Sequence, residues 1–137
     1  MRSLVALFAL ALWLAGCDTV AGPRSDDGPV RQAGVSLDAD RTLYDDGDEV
    51  HLTLRNDGSA TYMTGVLECA ELERWDGTAW VPSRMRDDVA CILIGLYLEP
   101  GQSIDGTPRL NVPAGSYRFT VALTDRVRVA TAALRVE

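Results

Sequence analysis

The sequence predicts an all-β fold, an antiparallel β-sandwich of about seven to eight strands, and two observations carry that expectation. From Gly34 onward apolar residues recur with a period of two, the period of a half-buried strand, and no segment shows a helical stripe. Turn-forming clusters interrupt the chain at intervals of roughly ten to twenty residues, which favours a sandwich over β-α-β units.

The strands follow in order. Val35, Leu37 and Ala39 alternate with Ser36, Asp38 and Asp40, and Val50, Leu52 and Leu54 alternate with His51, Thr53 and Arg55. Tyr117, Phe119, Val121 and Leu123 alternate with Arg118, Thr120, Ala122 and Thr124. Each set offers one face to a core and one to water, as in antiparallel sheets with a solvated side. The breaks between them are Asp45-Asp46-Gly47-Asp48, Asn56-Asp57-Gly58-Ser59, Asp76-Gly77, Pro100-Gly101 and Pro113-Ala114-Gly115. Strands are expected over 34–40, 48–55, 61–74, 79–83, 91–98, 103–110, 115–124 and 127–136. The last breaks parity: Val127 and Val129 lie on one phase, Ala132, Leu134 and Val136 on the other. A bulge near residues 130–131 reconciles them. In the third, Cys69 is out of phase with Val66 and Leu72, so it points away from that face or follows a kink.

The 137 residues suit one domain once a targeting segment is set aside. The run from Leu4 to Leu14 is apolar and follows Arg2, too short for a bilayer span of about 20 residues but suited to the apolar part of a signal peptide. Behind it, Leu14-Ala15-Gly16-Cys17 resembles the lipobox of bacterial lipoproteins. That resemblance implies a signal peptide over 1–16, cleavage before Cys17 and acylation of Cys17. The lipid would anchor the protein to a membrane of the cell envelope, facing periplasm or exterior, each buried methylene contributing about 0.8 kcal/mol. Asp18 resembles an inner-membrane retention signal of enteric bacteria, and inner and outer membrane both stay open. Residues 17–33 are rich in Gly, Pro, Asp, Ser and Arg and read as a flexible tether, leaving 34–137 as the domain.

The formal net charge is −7, which disfavours nucleic acid as a partner. All thirteen basic residues are Arg, a bias that fits a GC-rich genome or a high-salt habitat and concerns the host rather than the activity.

Several segments resemble bacterial immunoglobulin-like domains of secreted lipoproteins. Tyr44-Asp45-Asp46-Gly47-Asp48-Glu49-Val50-His51-Leu52-Thr53-Leu54-Arg55-Asn56 is similar to the start of the second strand and the polar turn after it. Leu72-Glu73-Arg74-Trp75-Asp76-Gly77-Thr78-Ala79-Trp80-Val81-Pro82 resembles the hairpin that follows. Leu98-Glu99-Pro100-Gly101-Gln102-Ser103 and Pro113-Ala114-Gly115-Ser116-Tyr117-Arg118-Phe119 look like later strand-start turns. The resemblance spans about residues 35–137 and implies an immunoglobulin-like sandwich; it says almost nothing about a ligand. Independently of it, a tight turn at Asp76-Gly77 sets Trp75 opposite Trp80. Tyr117 stands where a tyrosine corner would have its hydroxyl bond to upstream backbone, with a plain core tyrosine as the alternative.

Cys69 and Cys91 are expected to form a disulfide, because an exported chain meets an oxidising compartment. Closing a loop of about 22 residues contributes roughly 2–4 kcal/mol. A reactive cysteine is the alternative, but the single histidine, His51, lies on a wet strand phase and nothing local pairs it with a nucleophile. No metal site is expected: one His and two thiols fall short of a zinc set, and Asp38, Asp40, Asp45, Asp46 and Asp48 miss calcium-loop spacing, with Leu43 where that loop needs glycine. Glu71 and Glu73 share one phase and read as a wet face. No cofactor motif and no catalytic residue set emerges, so the expected class is not an enzyme.

The segment 92–98 is apolar on both phases. If Ile92, Ile94, Leu96 and Leu98 face the core, Leu93 and Tyr97 face outward as candidate partner-contact residues, unless a neighbouring loop covers them. The expected function is a non-catalytic, lipid-anchored envelope module whose domain binds protein or carbohydrate or acts as a spacer. The alternative is a protease inhibitor acting through an exposed loop, 76–79 or 101–108.

Overall fold

In the computed structural model the described residues are 26–85, 91 and 94–137. Residues 1–16, expected to be a signal peptide, together with Cys17, Ile92 and Leu93, lie outside them.

The chain is all-β. Eleven strands are present among the described residues: β1 (Val35–Ala39), β2 (Leu43–Tyr44), β3 (Leu52–Asn56), β4 (Tyr62–Thr64), β5 (Glu71–Trp75), β6 (Trp80–Ser83), β7 (Leu96–Leu98), β8 (Ser103–Gly106), β9 (Gly115–Ala122), β10 (Arg128–Ala130) and β11 (Leu134–Val136). They form three sheets. One is ordered β1-β3-β8, a second β2-β11-β9-β5-β6 with β10 also on β9, and a third is the pair β4-β7. The alternation read from the sequence sends Leu37, Leu52 and Leu54 from the first sheet and Leu72, Tyr117 and Phe119 from the second into one buried cluster, a sandwich-like arrangement.

The difference from the expected seven to eight strands has three causes. The stretch 61–74 is interrupted by a 3-10 turn at Leu67–Cys69, so the phase slip at Cys69 is a kink. Leu67 is buried there against Gly106, where a Cβ would stand 2.5 Å from the leucine Cβ. The final stretch splits into β10 and β11, both paired with β9. Ala130 faces Thr120 and Leu134 faces Tyr117, so four steps on one strand match three on the other: one extra residue, a bulge at the expected place. Third, β2 runs parallel to β11, with Tyr44 beside Val136, a pairing between chain ends that local alternation cannot reveal.

Two further expectations need correction. Ile94 does not face the core but is 45% exposed. The β4-β7 register ends at Thr64 and Leu96, with Gly65 and Gly95 just beyond, so the chain leaves the sheet before Ile94 can turn inward. The tether does not extend to residue 33, because residues 26–32 are hydrogen-bonded to the domain. Val30 and Ala130 exchange both backbone bonds at 3.0 Å, and Ala133 N–H donates to the Asp27 carbonyl at 2.8 Å. A polar composition does not prevent docking when the bonds needed are those of the backbone.

The Asp76 carboxylate organises the 75–80 hairpin. Its Oδ1 accepts from Thr78 N–H, Thr78 hydroxyl and Ala79 N–H at 2.8–2.9 Å. Backbone donation from Ala79 and Thr78, then the Thr78 hydroxyl, lowers its pKa below the usual carboxylate value. Gly77 supplies a φ of 108°, and Trp75 meets Trp80 edge-on with ring centres 5.5 Å apart.

Candidate functional site

The pair β4-β7 places side chains by the two-residue rule. Tyr62, Thr64 and Leu98 turn inward and are buried. Met63 and Tyr97, directly opposite one another, turn outward and are 43% and 70% exposed. Ile94 adds a third exposed apolar side chain, and Gly95 sits beside Met63, where a Cβ would come 3.0 Å from its sulfur. Met63 N–H donates to the Thr124 hydroxyl at 3.1 Å, fastening the pair to the turn between β9 and β10. An open groove of about 630 Å³ runs beneath, lined in part by Met63, Val66, Cys91, Ile94 and Leu123.

The disulfide between Cys69 and Cys91 is formed, with Cα atoms 5.7 Å apart, and borders this groove. It ties the kink before β5 to the segment leading into β7. With both thiols in the bridge, neither is available as a nucleophile.

Tyr97 is therefore outward, as expected of a contact residue, and Leu93 lies outside the described residues. Met63 was missed, although Tyr62-Met63-Thr64 already carries the signal: a large apolar residue on the phase opposite two that are buried. The loops considered for protease inhibition are built differently from free loops. Residues 76–79 are the tight turn capped by Asp76, and Ser103–Gly106 is β8, paired along its length with β3.

A second cluster occupies the outer face of β5, β6 and β9. Arg118 Nε donates to Glu73 Oε2 at 2.7 Å, with both side chains mostly buried, and its guanidinium lies 4.7 Å from the Trp80 ring centre. Arg128 bridges Glu71 and Glu73 at 3.0 and 3.2 Å. Glu73, whose side chain is 13% exposed, is thus paired across the sheet, whereas Glu71 stays on a wet face with its side chain 66% exposed.

The aspartates near β2 serve the backbone. Asp46 accepts from Val112 N–H at 2.9 Å and Asp48 from Asp45 N–H at 3.1 Å. Asp40 Oδ1 accepts from the Tyr44 hydroxyl at 2.8 Å and from His51 N–H at 3.0 Å. Desolvation, the largest single influence, raises the Asp40 pKa, but the Tyr44 and His51 bonds and nearby Arg41 together outweigh it and leave it lowered. Among the described residues no three His, Cys, Asp or Glu side chains converge as a metal set, and no helix is long and apolar enough to cross a membrane.

Compared with protein-family profiles, curated proteins and solved structures, the chain finds no match.

Proposed function

We propose that the chain is a non-catalytic, lipid-anchored cell-envelope protein whose single immunoglobulin-like domain contacts a protein partner through Tyr97 and Met63. The observation that carries the contact is the exposed cross-strand pair itself. A phenol ring, a thioether and the neighbouring Ile94 make a surface suited to an apolar protein patch, with flexible Met adapting to its shape. Leu93, from the same segment, is a further candidate for that surface.

Strand order supports the immunoglobulin-like reading. A three-stranded sheet β1-β3-β8 and a sheet β2-β11-β9-β5-β6, with β2 parallel to the last strand, are similar in order to the A-B-E and A′-G-F-C-C′ sheets that such a domain would have. Tyr117, near the start of β9, donates its hydroxyl to the Pro113 carbonyl at 2.7 Å, the bond of a tyrosine corner. The lipid anchor rests on Leu14-Ala15-Gly16-Cys17.

Placing a photo-crosslinking phenylalanine analogue at Tyr97 in intact cells tests the contact. A discrete protein adduct that weakens on Met63→Ser, with circular dichroism unchanged, is expected; no adduct, or one indifferent to Met63→Ser, overturns it. Intact mass of the native product reads the anchor separately. Acylated Cys17 is expected, and a Cys17→Ser protein that stays membrane-bound refutes it.

A further inference from the structure

Residues 26–32 climb the outer edge of β10 from one end of the sandwich to the other. At the lower end the Trp80 indole N–H donates to the Asp26 carbonyl at 3.1 Å, beside the 75–80 hairpin. Midway, Asp27 and Val30 bond to Ala133 and Ala130. At the upper end the Gln32 side-chain oxygen accepts from Arg128 N–H at 2.9 Å, next to the turn between β9 and β10. The chain then reverses through Ala33 and Gly34, both at positive φ (53° and 80°), and starts β1 at Val35 opposite Asn56. Gly34 is held so close to Gly58 that a Cβ would stand 2.6 Å from its backbone.

The upper end is also the end of the apolar patch. Asn56 Nδ2 donates to the Leu98 carbonyl at 3.1 Å, and Met63 bonds to Thr124 in the upper turn. A chain running free as far as Gly34 would therefore reach the domain at the patch. Docked along β10, it reaches the domain at the 75–80 hairpin, roughly 23 Å away along β9 at about 3.3 Å per residue.

We infer that residues 26–32 are a strut that sets which end of the domain faces the anchoring membrane. Docked, the strut turns the 75–80 hairpin toward the bilayer and points Met63, Ile94 and Tyr97 away from it, toward partners across the compartment. This rests on the proposed lipid anchor at Cys17. The chain from Cys17 to Asp26 spans at most about 30 Å, so the hairpin end stays near the surface. Released to Gly34, the tether would lengthen to about 57 Å at full extension and attach at the patch end.

The tryptophans report the difference, because Trp75 and Trp80 are the only two downstream of Cys17 and both sit at the lower end. The chain from Cys17 onward, with the disulfide formed, has one free thiol, which can be coupled to a maleimide lipid in phosphatidylcholine vesicles carrying dansyl headgroups. Chemical coupling makes the measurement independent of native acylation, which intact mass decides on its own. Tryptophan-to-dansyl energy transfer is expected to be efficient in the wild-type chain. It should fall about twofold or more with Val30→Pro combined with Gln32→Ala, as the poles exchange over about 23 Å. Replacing residues 26–31 by Gly and Ser at equal length should do the same if the first variant misfolds. Equal transfer in wild type and a folded variant, or lower transfer in wild type, overturns the strut.

Discussion

Phe119 N–H donates to the side-chain oxygen of Thr131 at 3.1 Å, while Thr131 N–H donates to the Phe119 carbonyl at 2.9 Å. A hydroxyl stands in for a ladder carbonyl where β10 ends and the extra residue enters. Both residues are buried, so the exchange keeps the bulge free of an orphaned amide. Thr131→Val keeps the shape and removes the acceptor. It should lower stability by about 1–3 kcal/mol in urea unfolding, with Thr131→Ser restoring much of it. A Val variant as stable as wild type would show that the bulge does not depend on this bond.

The bond from the Tyr117 hydroxyl to the Pro113 carbonyl predicts a separate loss. Tyr117→Phe retains the buried ring and removes the donor to Pro113, and should cost about 1 kcal/mol, because the exposed Pro113 carbonyl can turn to water. Denaturant unfolding with an unchanged m value measures it.

Cys69→Ser together with Cys91→Ser opens a loop whose ends are 22 residues apart. The double variant should fold with the same circular dichroism but lose about 3 kcal/mol, chiefly through the freedom returned to the unfolded chain. Wild type under reducing agent should show a similar drop in thermal midpoint.

Tyr44 supplies a pH dependence. Burial, then its hydrogen bond to Asp40, pushes its pKa up from 10.0 to about 12. The folded state therefore binds the phenolic proton more tightly than the unfolded chain. This contribution is complete below pH 10 and is lost as pH rises through about 12. Absorbance titration should find a tyrosine ionising near pH 12, and Tyr44→Phe should flatten the alkaline end of the stability profile.

Much of this is legible in the sequence. Asp76-Gly77 with flanking tryptophans specified a tight hairpin, because side-chain capping and positive φ act within a few residues. The parity slip between Val129 and Leu134 located the bulge, because a side-chain period of two makes one inserted residue visible. The same alternation turns Tyr97 outward. Ile94 departs from it because alternation holds only while a strand is paired, and pairing stops at Leu96. The docking of 26–32 was not legible, since the segment holds a single large apolar residue, Val30, and the partners of Asp27, Val30 and Gln32 lie about a hundred residues later.

By itself, then, the sequence determined that the chain forms strands, where they turn and which faces are apolar, and it led to the expectation of a Cys69–Cys91 bridge: the first three are consequences of local periodicity and turn chemistry. Only the tertiary structure decided which strands are neighbours, that Arg118 and Arg128 neutralise Glu73, and that the N-terminal segment leaves at the hairpin end rather than beside the patch. Those outcomes depend on backbone groups and charges meeting across distant parts of the chain, and a backbone N–H is the same in almost every residue, so the order of residues does not announce its partner.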